Sequence, residues 1–307
     1  MKFSLFNLYL VYILVSSVKS KVPKPKPARL GFFRETLRPE VRVIGGLKAE
    51  RHQFPYQVSL QYNGVHICGG VLISETRVIT AAHCKVRINA LYEVVLGMLI
   101  LYEDHEDIQR RMVENFTIHP EFPLFSRYIA TDDIAVLDLS EPVKLTPAVQ
   151  VIKLPTQKQC NAMGSMVISG WGYSNPEANQ HSSTLRWAAL PRITYKQCRQ
   201  DLLAVARTSK PLDKTMICTS SVVGKNQSAC SGDSGGPLVY DGAVVGIVSW
   251  GVIPCGTRHA PTVYIKPCSH ESFLRSDSCS CLILNHGKSR LILSYLLYIF
   301  YINDLCS

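Results

Sequence analysis

Residues 230–237 read Cys-Ser-Gly-Asp-Ser-Gly-Gly-Pro. Gly232-Asp233-Ser234-Gly235-Gly236 fits G-x-S-x-G, a sharp turn that exposes a nucleophilic serine. It also fits a plain glycine-rich turn. A serine hydroxyl attacks a carbonyl only if a base takes its proton and a third group fixes that base's tautomer. His83 stands in Thr80-Ala81-Ala82-His83-Cys84, where a disulfide on Cys84 could hold the imidazole rigid. Acids stand in Thr131-Asp132-Asp133-Ile134-Ala135-Val136-Leu137, just ahead of an apolar run. Taken alone, a His-Cys pair reads as structural, and an acid before a strand reads as a turn.

These residues need elements to position them. Tyr56–Tyr62 alternates with period two, and Asn63-Gly64 is a hairpin turn signal. Strand-like runs recur at Val71–Ser74, Val78–Ala81, Tyr92–Leu96, Ile134–Leu139, Met166–Ser169, Leu238–Tyr240 and Val244–Trp250. No long amphipathic helix stands out before about residue 265. Many short strands separated by turns predict an all-β barrel or sandwich. They argue against the alternating strands and helices that an α/β-hydrolase needs, and there is no internal repeat.

Chain order separates the two enzyme readings. The α/β-hydrolases run Ser, acid, His. Here the candidates run His83, Asp133, Ser234, the order of the chymotrypsin triad. VIGG, QFPYQVSL, CGGVLI, TAAHC, DDIAVL, SGWG, CSGDSGGP, VSWG and PTVY follow in register over roughly residues 43–275. The chain resembles a secreted chymotrypsin-family serine protease. The resemblance implies two six-stranded antiparallel β-barrels with a short C-terminal helix, expected to begin at Tyr264-Ile265-Lys266-Pro267-Cys268 and to run through Ser269–Arg275.

It also implies roles. Ser234 attacks, His83 serves as general base and then acid, and Asp133 orients His83; Asp133 is preferred to Asp132 because it directly precedes Ile134-Ala135. The backbone N–H groups of Gly232 and Ser234 form an oxyanion hole. Asp233 receives the α-amino group of Val43 once the chain is cut after Arg42, so the uncut chain is expected to be a zymogen. Ser249-Trp250-Gly251 is the edge that pairs with substrate backbone. The implied disulfides are Cys68–Cys84, Cys160–Cys268, Cys198–Cys218 and Cys230–Cys255. Cys279, Cys281 and Cys306 remain over, and the family bridge beginning just before SGWG is missing, since Met166 stands there.

In this family, cleavage after Lys or Arg takes an aspartate at the base of the primary pocket. Here Ser228 stands there, and a neutral hydroxyl cannot offset the desolvation of a buried cation. Gly251 leaves one wall open, while Thr262 narrows the other. The expectation is cleavage after small-to-medium apolar residues, elastase-like, with a chymotrypsin-like pocket for Phe or Tyr as the runner-up. The loop that binds calcium in some relatives has no convincing acidic cluster, so neither metal nor cofactor is expected. Polypeptide substrates, a trypsin-like activating protease and protein inhibitors are the implied partners. The alternative function is a non-cleaving homologue that binds or regulates.

Bulk properties bound the rest. The 307 residues are 47% apolar and 18% charged, a globular composition. The formal charge of +10 resembles a nucleic-acid signal. Nine of the Lys and Arg residues, however, lie in residues 1–42, and the remainder carries about +3. No nucleic-acid partner is expected. Residues 1–20 have Lys2, an apolar run from Leu5 to Val15 and small residues at Ser16, Ser17 and Ser20. That is a secretory signal peptide, too short in its apolar run to be an anchor. Secretion makes the eleven cysteines disulfide candidates. Residues 21–42, with Pro23, Pro25 and Pro27, form an extended activation propeptide, and 43–276 the protease domain. Residues 277–307 are an atypical extension: either foreign to the protease, or a sticky patch for a partner or membrane. Asn115-Phe116-Thr117 and Asn226-Gln227-Ser228 are glycan sequons, the second awkward because Ser228 should be buried.

Overall fold

The computed structural model describes residues 46–87, 90–123, 131–175, 180–221 and 227–276. The leader, Arg42 and Val43, Asn226, and the tail with Cys279, Cys281 and Cys306 lie outside the described residues.

The strands are β1 (Leu47–Lys48), β2 (Gln57–Tyr62), β3 (Val65–Ser74), β4 (Arg77–Thr80), β5 (Tyr92–Leu96), β6 (Gln109–Ile118), β7 (Ala135–Leu139) and β8 (Ser165–Gly170). They continue as β9 (Tyr173–Asn175), β10 (Gln180–His181), β11 (Arg186–Ile193), β12 (Met216–Thr219), β13 (Pro237–Tyr240), β14 (Ala243–Gly251) and β15 (Thr262–Ile265). Strands β2-β3-β4-β7-β6-β5 close an antiparallel barrel. Strands β11-β12-β15-β14-β13-β8 close a second through the β8–β11 pairing, with β1 on its edge beside β11. Closure removes the exposed edges that short strands would otherwise present.

Period-two alternation explains the first barrel. Leu60, Leu72, Val94, Leu96 and Leu137 point inward and are fully buried, each worth ~1.5–3 kcal/mol of apolar burial. Asn63 and Gly64 both take positive φ, 51° and 73°, in the two-residue turn that sets Tyr62 opposite Val65. Met166, Ile168, Leu190, Leu238, Val245 and Tyr264 fill the second barrel. Val71, Ile79, Ile134, Val244, Ile247 and Val263 form a third cluster that joins the two.

Three departures from the sequence reading have physical causes. Strand β6 carries Arg110 and Glu114 on its exposed face and Arg111 on its half-buried one, with Met112 exposed, so its apolar alternation is broken on both faces. A helix of twelve residues, Tyr195–Ala206, sits where none was expected. Only Cys198 and Leu202 of it are buried, a stripe too thin to show as periodicity, and Thr194 caps it by accepting from Gln197 N–H. The C-terminal helix does not begin at Tyr264. Tyr264 and Ile265 finish β15, Pro267–His270 make a 3-10 turn, and the helix itself is only Glu271–Arg275.

Candidate active site

Pairing of β4 with β7 sets Thr80 opposite Ala135. His83 follows β4 by three residues and Asp133 precedes β7 by two, so the same register that closes the barrel brings them together. His83 lies in the 3-10 turn Ala82–Cys84, tied to β3 by the Cys68–Cys84 disulfide. Its Nδ1 is 2.7 Å from Asp133 Oδ2, and its backbone N–H donates to Asp133 Oδ1 at 2.9 Å. Ser249 of β14 reaches over from the second barrel and donates its hydroxyl to Asp133 Oδ2 at 2.5 Å. Asp133 is 1% exposed, so three donors compensate a carboxylate removed from water.

Ser234 comes from the second barrel, in the turn before β13, and its carbonyl accepts from Gly69 N–H at 2.7 Å. That bond seats the turn against β3. The turn needs its glycines. Gly232 has φ 95° and Gly235 φ 77°, and a Cβ on Gly235 would overlap the Thr80 hydroxyl. Ser234 and His83 line one cleft of about 200 Å3 together with Ser228, Trp250, Gly251 and Thr262.

The floor of the turn is held by buried polar groups. Asp233 is 1% exposed, and its carboxylate accepts from Gly172 N–H at 2.7 Å and Cys230 N–H at 2.9 Å. Burial pushes its pKa up to about 6, against the pull of those two N–H groups. His66 Nε2 lies 3.1 Å from the Gly232 carbonyl and its Nδ1 is 2.8 Å from Ser59 Oγ. Burial pushes His66 down to about 4. The His181 ring packs edge-on against His66, 5.3 Å between centroids.

Of the pocket residues, Ser228 and Thr262 are buried and Gly251 is exposed. Ser228 Oγ accepts from Gly256 N–H at 2.9 Å. Thr262 sits between Thr219 and Gly251 in the sheet. No acidic side chain is among the described residues that line the cleft. The structure forms four disulfides: Cys68–Cys84, Cys160–Cys268, Cys198–Cys218 and Cys230–Cys255. Cys68, His83 and Cys84 lie close enough to suggest a metal, but both sulfurs are bonded to each other and offer no thiolate.

Sequence reasoning missed two groups. Ser249 was read only as part of a substrate-pairing edge, and His66 was not singled out. Both act across the barrel interface, and nothing local in the chain announces such contacts.

A buried acid, an imidazole aligned on it and a serine in the same cleft can perform acyl transfer through a covalent intermediate. Comparison with known proteins agrees. Residues 43–274 match the trypsin family. Kallikrein 1-related peptidase b24 of Mus musculus is 34% identical over 242 residues, 76% of this chain and 89% of the relative. Tonin of Rattus norvegicus is 34% identical over 242 residues, covering 76% and 88%. The solved structure of neuropsin, a serine protease expressed in the limbic system of mouse brain, superposes with a TM-score of 0.67 at 30% identity. That superposition covers 75% of this chain and 96% of neuropsin. Among the described residues no helix is long and apolar enough to cross a membrane. The chain belongs to the trypsin-like, chymotrypsin-family serine proteases and is a serine endopeptidase.

Proposed function

We propose that the protein is a secreted endopeptidase, made as a zymogen, that cuts polypeptides after small-to-medium apolar residues. Residues 1–20 direct secretion, 21–42 form the propeptide, and 43–276 the catalytic domain. Cleavage after Arg42 by a trypsin-like protease frees the α-amino group of Val43. That cation pairs with Asp233, whose buried carboxylate otherwise lacks an opposite charge among the described residues.

Ser234 attacks the scissile carbonyl as His83 takes its proton at Nε2. Asp133 holds Nδ1–H and stabilises the imidazolium. The N–H groups of Gly232 and Ser234 receive the oxyanion. His83 returns the proton to the leaving amine, and water repeats the sequence to release the acyl group.

The observation that carries the substrate preference is the cleft lining. Ser228 is neutral and accepts from Gly256 N–H, no acid lines the cleft among the described residues, and Thr262 is part of its lining. A Lys or Arg side chain would enter with nothing to offset its desolvation.

The test is to cleave purified chain after Arg42 and profile peptides varied only at the residue before the scissile bond. Faster turnover after Val, Ala or Leu supports the reading. Preference for Phe or Tyr shows that Thr262 leaves the slot open, and cutting after Arg overturns the Ser228 argument. No turnover by folded chain starting at Val43 favours a binding homologue. Thr262→Gly should shift preference towards aromatic residues by ~10–200-fold.

A further inference from the structure

We propose that His119, Asp132 and His270 form a site for a divalent transition-metal ion of the zinc class. They come from three segments: the residue after β6, the turn before β7, and the end of the 3-10 turn Pro267–His270. One ligand atom from each lies within 4.8 Å of the others. Two imidazoles and one carboxylate suit zinc rather than calcium or magnesium, which want oxygen alone. Three protein ligands leave a fourth position to water.

His270 supplies a second, independent observation. Its Nδ1 lies 3.0 Å from the Lys266 carbonyl and its Nε2 lies 2.9 Å from Asp132 Oδ1. Both neighbours are acceptors, and the His270 side chain is only 2% exposed. A metal ion seated between Nε2 and Asp132 Oδ1 would leave Nδ1–H donating to a backbone carbonyl, the usual support behind a metal-bound histidine.

Zinc–ligand distances of 2.0–2.2 Å place tetrahedral ligand atoms roughly 3.4 Å apart. The Asp132–His270 pair therefore opens slightly to admit the ion and His119 closes in. The His119 ring already packs edge-on against His270, 5.0 Å between centroids, and against Phe273 at 4.9 Å. The contact from Glu121 N–H to His119 Nδ1 is long, 3.3 Å, and competes weakly for the ring.

Other histidines offer less. His52 and His105 both face Asp107, but Arg51 already supplies a cation there, 3.8 Å from Asp107 and 2.8 Å from Glu103. Cys68 and Cys84 beside His83 are oxidised.

The test is equilibrium dialysis of the full chain against Zn2+, with His119→Ala and Asp132→Asn alongside. Every other histidine and the cysteines of the tail are common to all three proteins, so the difference isolates this site. The expected result is one zinc equivalent fewer in each variant, or at least about a tenfold weaker final site. Zinc should also raise the melting temperature of the parent more than that of either variant. A melting transition in EDTA verifies that each variant is folded; His119 is only partly buried, so its truncation spares the core. Equal stoichiometry and equal stabilisation in all three would overturn the site. So would a melting shift from Mg2+ as large as that from Zn2+.

Discussion

Two adjacent carboxylates each hold a histidine, and the pairs differ in what they leave free. Asp133 receives His83 Nδ1, His83 N–H and the Ser249 hydroxyl. It is thereby fixed, and His83 keeps its second nitrogen at a cleft shared with Ser234. Asp132, with φ 55°, faces the other way and receives His270. His270 is engaged at both nitrogens and nearly buried, with no nitrogen left for a substrate. One backbone step thus separates an acid–imidazole pair that leaves a nitrogen at the cleft from one whose imidazole is engaged at both nitrogens. The difference lies in the satisfaction of the second nitrogen, not in the acid–histidine distance, which is 2.7 Å in one and 2.9 Å in the other.

The largest effect that could break this contrast is at Asp133. Asp133→Asn should lower kcat by ~10^4-fold with little change in KM, because the amide favours the wrong imidazole tautomer. That corresponds to about 5.5 kcal/mol of lost transition-state stabilisation. Steady-state kinetics on the activated chain settles it. A loss of tenfold or less would mean that Asp133 does not orient His83.

Asp233 sharpens the comparison, being a buried carboxylate with no histidine on it. Its ordinary value of 3.8 rises to about 6 in the fold, chiefly through burial. Between those values the folded chain keeps a proton that the unfolded chain has lost, so stability falls as pH rises. The penalty is complete above pH 6 and amounts to about 3 kcal/mol. His66 works in the opposite sense. Burial lowers it from 6.5 to about 4, so its contribution to stability is lost as pH falls through that range. In uncut chain the two slopes oppose each other between pH 4 and 6. Asp233→Asn should remove the falling slope and expose the rising one from His66, which urea midpoints from pH 4 to 8 would show. A variant whose profile matches the parent's would sink the Asp233 assignment, and a variant with no rising slope would sink that of His66. Val43's ammonium should cancel the Asp233 penalty in cut chain.

How legible all this was depended on range. The order His83, Asp133, Ser234 and the glycines around Ser234 are local patterns, and local patterns survive in a sequence. The inward faces of β2, β5 and β7 were legible because apolar residues alternate there without interruption. Strand β6 was not, because Arg111 falls on its half-buried face and Met112 on its exposed one, and neither was the helix Tyr195–Ala206, which buries only two side chains. Ser249 on Asp133 is a contact across 116 residues, and His66 on Gly232 one across 166. Only closure of both barrels creates them. Asp132 was weighed solely as a rival to Asp133, since its partner His270 lies 138 residues away in a segment read as helix.

The smallest effect is at Asp132, where the two pairs can be set directly against each other. Asp132→Asn keeps an oxygen for His270 Nε2 and removes only the charge. A hydrogen bond to a charged group is worth about 1 kcal/mol more than a neutral one, so the fold should lose about that much. Asparagine tolerates the left-handed backbone at φ 55°, so no strain is added. Measured in EDTA to keep metal out, the substitution should lower the melting temperature by a few degrees. It should cost kcat less than tenfold, against ~10^4-fold for its neighbour. Equal kcat losses would mean that the two carboxylates act as one network through their shared peptide. A thermal loss with kcat nearly intact would show that neighbouring acids on one turn can be energetically separate when their partners come from different sides of the fold.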